Sequence, residues 1–364
     1  MSSSSILFLI PSLRGGGAER VIVTLLRHLN RAKFRLTLVV VDSRGAAYRD
    51  DVPEDVEFID LHCSRVRYAL PKMIALIWCR RPAVVFSTLG HLNLALVIIR
   101  PLLPDGVRYI ARESSIVSET LHQYGKPEWW CWAYRRFYCR FNTVVCQSQY
   151  MHDDLVKNFL FPPAKAVVIH NPVDVERIRQ LVQEPLATGF GKPEDNNNTR
   201  INLLAAGRLS HEKGFDLLIE AVALCDDPRL YLTLLGEGPL QKELEQLAQA
   251  KGIADQVRFV GFQKNPYPFL AGADAFVLSS RFEGFPNVVL EALACGTPVI
   301  ATPAPGGVRE ILEGIDGCVL AENVTVEALA KAIQRFPTGQ TLSLAAVVPY
   351  TVATIVRRYE QVLK

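Results

Sequence analysis

The stretch "SRFEGFPNVVLEALACGTPVIATPAPGG", residues 280–307, decides how the second half of the chain is read. It leaves an apolar run, Ala275–Ser279, and passes through a loop, Arg281–Phe285. Pro286 suits the first position of a helix, where a missing N–H costs nothing. That helix runs through Glu291 to about Ala294, and a second apolar run, Pro298–Thr302, precedes another glycine turn. Strand, loop, helix and strand in so short a span predict a parallel sheet covered by helices. Glu283 then falls in the loop at the strand's carboxyl end and Glu291 one turn into the helix. The backbone N–H groups of Asn287 and Val288 are placed to meet a phosphate between them, with Phe285 and Pro286 shaping the approach. Two carboxylates beside such an anion site are poor phosphate ligands but good acceptors for hydroxyls, a ribose on one side and a sugar on the other. Either glutamate alone reads equally well as an ordinary charge near a helix N-terminus.

Working outward, the same alternation fills the chain. Ile6–Ile10, Leu36–Val41, Ala83–Ser87, Tyr109–Ala111 and Thr143–Gln147 read as buried strands, with helical stretches such as Ala18–Leu29 between them. A second series opens at Ile201–Ala206 and continues through Leu230–Leu235, Val257–Val260, Ala275–Ser279 and Pro298–Thr302. Glu184–Arg200, with Pro, Gly and an Asp-Asn-Asn-Asn run, reads as the surface loop joining them. The expectation is an α/β protein of two doubly wound lobes, 1–170 and 171–350, with an amphipathic C-terminal helix over 351–364. At 364 residues the chain is long enough for two cores.

Hydrophobic residues make up 49% and charged residues 21%, a soluble balance. Ser2–Ser5 lack the positive charge of a secretory leader, and the most apolar stretch, Leu92–Leu103, is broken by Arg100 and shorter than the about 20 residues a span needs. Eight cysteines without a CxxC pair or metal-like His spacing read as buried thiols in a reducing cytosol. The net charge of +3 is uneven: residues 1–170 hold 22 Lys and Arg against 14 Asp and Glu, the remainder 18 against 23. That asymmetry points the first half toward an anionic partner such as a membrane surface or a phosphorylated lipid. Nucleic acid fits poorly, since no dense basic helix or zinc-finger spacing is present.

"IPSLRGGGAER", residues 10–20, sets Gly15, Gly16 and Gly17 between a strand and a helix. Three readings stand: a phosphate-binding turn, a plain tight turn, and a nicotinamide-cofactor fingerprint completed by Asp42. The last lacks its third glycine, Arg20 standing there. In the second half, "GRLSHEKG", residues 207–214, delivers Gly207, Arg208, Lys213 and Gly214 at the carboxyl end of a strand, two cations and two glycines suited to a diphosphate. Each cation alone reads as a solvated surface charge.

Taken together, Glu283-x7-Glu291 in "EGFPNVVLEALACGTPVIAT", "GRLSHEKG" about 75 residues earlier, "GGGAER" near the start and "VIHNPVD" over Val168–Asp174 resemble the retaining GT-B glycosyltransferases of family 4. The resemblance covers nearly the whole chain. It implies two Rossmann-like domains facing across a cleft, acceptor bound by the first and nucleotide sugar by the second, with the C-terminal helix crossing back to the first. It implies that Arg208 and Lys213 neutralise the departing diphosphate, Glu283 binds hydroxyls of the transferred sugar, Glu291 binds the ribose, and Gly16 helps position donor phosphate. It further implies transfer of a hexosyl or N-acetylhexosaminyl unit, with UDP as the commonest carrier, and neither cofactor nor metal. One point departs from the pattern: where many members carry a histidine near the reacting carbon, "IARESS" places Glu113, beside Arg112 and Ser114. His91 in "STLGHLNLA" is a second first-half candidate, equally read as structural.

For the acceptor side, "EWWCWAYRRFYCRF", residues 128–141, packs Trp129, Trp130 and Trp132 among Arg135, Arg136 and Arg140. A basic-aromatic helix can lie at a bilayer interface or pack its rings on its own domain. With Arg65, Arg67, Lys72, Arg80 and Arg81 nearby in sequence, it suggests a glycan or polyprenyl-linked saccharide acceptor met at the cytoplasmic membrane face. The rival functions are an NAD(P)-dependent oxidoreductase, resting on Gly15–Gly17 and Asp42, and a nucleotide-sugar-binding subunit without catalysis, resting on the missing histidine.

Overall fold

The computed structural model describes residues 3–123, 125, 128–185 and 200–364. Of the expected loop Glu184–Arg200, residues 186–199 lie outside the described residues. The chain divides into two compact units, Met1–Pro172 together with Val352–Lys364, and Val173–Thr351.

The first unit holds seven strands: β1 (Ser4–Ile10), β2 (Phe34–Val40), β3 (Glu57–Asp60), β4 (Val84–Thr88), β5 (Arg108–Arg112), β6 (Thr143–Cys146) and β7 (Ala166–Val168). They pair in parallel in the order β3-β2-β1-β4-β5-β6-β7. The near-continuous apolar runs of β1, β2 and β4 are explained by burial on both faces. One face is closed by the helix Gly17–His28 and by the C-terminal helix Val352–Leu363, whose Ile355, Tyr359 and Leu363 join Phe8, Phe86 and Leu25 in one core. Aromatic rings meet at its centre: the Phe86 ring centroid lies 5.1 Å from that of Phe8 and 6.0 Å from that of Tyr359.

The second unit holds β8 (Ile201–Ala206), β9 (Leu230–Leu235), β10 (Val257–Gly261), β11 (Ala275–Leu278), β12 (Val299–Ala301) and β13 (Val319–Leu320), again parallel, in the order β10-β9-β8-β11-β12-β13. Its two faces carry separate apolar clusters, one around Leu218, Leu232 and Leu329, the other around Phe276, Val289 and Leu293. In both sheets the order reverses beside the first strand of the unit. The crevices outside the carboxyl ends at such reversals are where open α/β sheets bind ligands. They fall between β1 and β4 in the first unit and between β8 and β11 in the second.

The expected strands all appear, with ends shifted by one or two residues. Three short ones, β3, β7 and β13, are additional, and β3 and β13 lie at the edges with half-exposed side chains that make no apolar run. All eight cysteines are free. Among the described residues no helix is long and apolar enough to cross a membrane.

Candidate active site

At the second unit's reversal, β8 ends and Gly207 turns the chain so that a side chain there would lie against the Lys213 methylenes, 3.5 Å away. Arg208 follows, exposed, and its guanidinium has no hydrogen-bond or ion-pair partner among the described residues. A short 3-10 turn, His211–Lys213, ends at Gly214 with φ 62°. A Cβ at Gly214 would collide with the carbonyl of Ser279, so only glycine lets this loop approach the end of β11 so closely. Ser279 Oγ donates back to the Lys213 carbonyl at 2.9 Å, and the Arg281 N–H donates to the Glu212 carbonyl at 2.8 Å.

Across this seam Lys213 Nζ donates to Glu283 Oε1 at 2.6 Å, and Ser280 Oγ donates to the same oxygen at 2.7 Å. Glu283 is 9% exposed, and its backbone is fixed by its own N–H on the Pro305 carbonyl. Gly306 faces it so closely that any Cβ would overlap the Glu283 carbonyl. Arg281 grips Asp216 with two hydrogen bonds, 2.8 and 2.6 Å. Burial works against ionisation of Asp216, but the Arg281 guanidinium outweighs it and holds the carboxyl below its usual range. The helix itself spans Asn287–Ala294, with Pro286 one position earlier than expected, at the N-cap, where ψ is 97° and no side chain caps the first turn. Asn287 and Val288 are half-buried in that first turn, Phe285 is buried against Tyr350 at 5.7 Å, and Glu291 is 6% exposed on the helix.

Arg208, Lys213, Glu283 and Glu291 are thus all carried by one unit, and the first three sit on the loops that follow β8 and β11. Sequence reasoning missed how they are tied together. Ser280, the Arg281–Asp216 pair and Gly306 support the loops, and the visible signals were the serines before "RFEG" and the "GG" at 306–307. Lys213 and Glu283 neutralise each other here. The loop after β8 therefore carries a cation that is held in place before any ligand arrives.

The first unit corrects several expectations. Gly16 caps the helix Gly17–His28 in extended geometry, and the space its side chain would fill is taken by the Glu19 carboxylate. Glu19 is 8% exposed, and burial raises its pKa. The glycine thus makes room for the Glu19 carboxylate, at the turn where the sequence suggests a donor phosphate. Asp42, the acid of the nicotinamide reading, accepts from Arg14 at 3.0 Å and from Arg44 at 2.9 Å, and the Arg44 hydrogen bonds hold its pKa at about 2. Both of its oxygens thus already accept from guanidinium groups, where the nicotinamide reading needs a ribose acceptor.

Arg112 and Glu113 do not present themselves as substrate contacts. Arg112 is 0% exposed and donates to Asn171 Oδ1 (2.6 Å), Tyr359 Oη (3.2 Å) and Thr88 Oγ1 (3.4 Å). Glu113 is 1% exposed; its carboxylate accepts from Asn93 Nδ2 at 3.1 Å and from Tyr138 Oη. A polar pair at a strand end looks like site chemistry in sequence, but here both side chains point into the unit, one to each face of the sheet. Burial pushes the Glu113 pKa up to about 7. His91, by contrast, is exposed, in the first turn of the helix Gly90–Ile98 just after β4. The preceding Leu89 has φ 75° and ψ 122°, a conformation that costs a non-glycine residue about 1–3 kcal/mol and is concentrated at functional sites. Trp129 and Trp132 are 51% and 57% exposed, Trp130 is half-buried, and Arg135 and Arg136 are exposed on the helix Glu128–Phe137.

Two parallel sheets of this order, the second with a cation-and-glycine loop at its reversal, define a two-domain protein of the Rossmann-like nucleotide-binding type. Comparison with known proteins makes the class specific. Residues 15–177 match the family described as Glycosyltransferase Family 4, and residues 190–346 match Glycosyl transferases group 1. The chain is 30% identical over 328 residues to N-acetylgalactosamine-N,N'-diacetylbacillosaminyl-diphospho-undecaprenol 4-alpha-N-acetylgalactosaminyltransferase of Campylobacter jejuni, covering 83% of this chain and 81% of that protein. It is 39% identical over 140 residues to the lipopolysaccharide core biosynthesis glycosyltransferase LpsE of Rhizobium meliloti, 38% of this chain and 40% of that one. Among solved structures, Anabaena Alr3699/HepE in complex with UDP-glucose superposes with a TM-score of 0.78 at 21% identity, over 99% of both chains. Sucrose-phosphate synthase from Thermosynechococcus elongatus gives 0.72 at 18% identity, over 99% of this chain and 94% of that one. The chain belongs to the family 4, group 1 glycosyltransferases and has the GT-B fold.

Proposed function

We propose that the protein is a retaining glycosyltransferase that moves a hexosyl or N-acetylhexosaminyl unit from a UDP-sugar to a lipid-linked saccharide during cell-surface glycan assembly. The observation that carries this reading is the Arg208 guanidinium, unpartnered among the described residues, on the loop whose Lys213 pairs with Glu283 of the loop after β11. As the glycosidic bond to the diphosphate breaks, negative charge grows on the leaving phosphate, and preorganised cations stabilise that charge in the transition state. Glu283, fixed by Ser280 and Lys213, offers its remaining oxygen to a sugar hydroxyl, and Glu291 takes the ribose. The chemistry of this reading is same-face attack assisted by the leaving phosphate, without a metal.

UDP is favoured as carrier because Alr3699/HepE was solved with UDP-glucose. A lipid-linked acceptor is favoured because the Campylobacter relative's name gives a diphospho-undecaprenol-linked substrate. The exposed Trp129, Trp132, Arg135 and Arg136 suit a peripheral helix on an anionic cytoplasmic membrane face. A thermal-shift panel of UDP, GDP, ADP and NAD tests the class and the base together. Selective stabilisation by UDP is expected; stabilisation by NAD alone would overturn the transferase reading. Product NMR gives the anomeric configuration, and flotation with anionic liposomes at low salt tests membrane association, which no binding would refute.

A further inference from the structure

The reversal point of the first sheet, between β1 and β4, carries the strained Leu89 and the exposed His91, and a buried device behind them holds that turn. Asn93, 0% exposed, is at its centre. Its backbone N–H donates to the Leu89 carbonyl at 3.0 Å, and its side-chain Nδ2 donates both to the Arg112 carbonyl at 3.0 Å and to Glu113 Oε1 at 3.1 Å. Glu113 is fixed in turn: its N–H donates to the Val145 carbonyl at 3.0 Å, its carbonyl accepts from Gln147 Nε2 at 2.7 Å, and Tyr138 Oη donates to the same Oε1. Between Leu89 and His91, Gly90 closes down on this group. A Cβ there would lie 2.6 Å from Tyr134 Oη and 3.3 Å from Glu113 Oε2. The ends of β4, β5 and β6 are thereby joined through Asn93 and the backbone and carboxyl of Glu113.

We propose that Glu113 is a positioning residue for acceptor binding, holding the Leu89–His91 turn through Asn93 so that His91 and the first N–H groups of the helix face an acceptor saccharide. The proposal rests on the transferase reading for the identity of the ligand, but the clamp itself does not. It explains why a strained leucine is tolerated: a glycine-tight contact and a chain of buried hydrogen bonds leave the turn no relaxed alternative. It also makes acceptor binding sensitive to protons. The titratable and charged groups facing Glu113 are Arg112 on its own strand, Asp154 on the helix Gln149–Phe159, Tyr134 on the helix Glu128–Phe137, Tyr138 in the turn after it, and Cys146 on β6. With its pKa at about 7, Glu113 changes charge in the neutral range.

The test compares Glu113→Ala, Glu113→Gln and Gly90→Ala by hydrogen exchange and by steady-state kinetics. Glu113→Ala should raise exchange about tenfold at the amides of Leu92 and Asn93, with second-unit amides unchanged. It should raise the acceptor KM about tenfold while kcat and donor KM stay within about twofold. Glu113→Gln keeps an oxygen for Asn93 and Tyr138, so it should restore exchange and acceptor KM, and the inflection of acceptor KM near pH 7 should vanish. If Glu113→Ala does not fold, Gly90→Ala carries the test, because it pushes the same turn away from Tyr134 and leaves the carboxyl in place. Unchanged exchange in either variant, or a Glu113→Gln as impaired as Glu113→Ala, overturns the positioning role. Exchange needs no substrate. Failure to transfer to any saccharide, with the exchange change present, counts against the transferase reading instead.

Discussion

Glu283 and Glu113 each follow closely on a parallel strand near the reversal of its sheet, and each is almost fully buried, yet they are built for opposite ends. Glu283 has a cation on it, Lys213 at 2.6 Å, and that lysine is itself partly open to solvent. Glu113 is met by an amide and a phenol, and the guanidinium of its neighbour Arg112 points to the other face of the sheet. A buried carboxylate held by neutral donors is pushed toward its protonated form, as Glu113 is. In the second unit the carboxylate is tied to a cation; in the first it is tied to neutral donors inside the scaffold.

The largest expected effect breaks the charged end of that contrast. Lys213→Ala should lower turnover by about 100-fold or more, since it removes a leaving-group cation and leaves Glu283 buried without its partner; wild-type kinetics would take Lys213 out of the mechanism. Next in size, Gly306→Ala should lower stability by about 1–3 kcal/mol and impair donor binding, because the new Cβ overlaps the Glu283 carbonyl at a glycine with φ 119°. An unchanged melting temperature would show that the 283–306 contact yields freely. Glu291→Ala should weaken free UDP about tenfold by calorimetry, and unaltered affinity would discard the ribose assignment.

The smallest effect sharpens the neutral end. Burial raises the Glu113 pKa from 4.5 to about 7, so the folded state holds a proton that the unfolded chain gives up. Its contribution is complete below about pH 4.5 and is lost as pH rises through 7. Melting temperatures across pH 5 to 8 should therefore fall less steeply in Glu113→Gln than in the wild type. Parallel curves would mean that Glu113 does not titrate in that window.

The same contrast explains what the sequence could show. The second unit's site is encoded in contiguous loops, so Arg208, Lys213, Glu283 and Glu291 stand out by type and spacing within "GRLSHEKG" and "EGFPNVVLE". Their mutual pairing is not legible, because Lys213 and Glu283 are 70 residues apart, and Arg281 and Asp216 65. In the first unit the residues of "ARESS" read as site chemistry because they stand where the family the chain resembles carries a histidine near the reacting carbon. What buries them comes from elsewhere: Asn93 and Tyr138 lie 20 and 25 residues away from Glu113, and Tyr359 lies 247 residues from Arg112. Nor does "GGGAER" say that its own glutamate folds back over Gly16. Strands followed the same logic: long apolar runs such as Ile6–Ile10 were visible, while half-exposed β3 and the two-residue β13 had no run to show.

Whether the loop after β8 binds a nucleoside diphosphate is the central question, and Arg208 is its cleanest probe, because its side chain is exposed and makes no hydrogen bond or ion pair among the described residues. Calorimetric titration of UDP into wild type and Arg208→Ala should show binding that weakens at least about tenfold in the variant, with the melting temperature of the free protein unchanged. Equal affinity in the two proteins would contradict the assignment of this loop to the donor diphosphate.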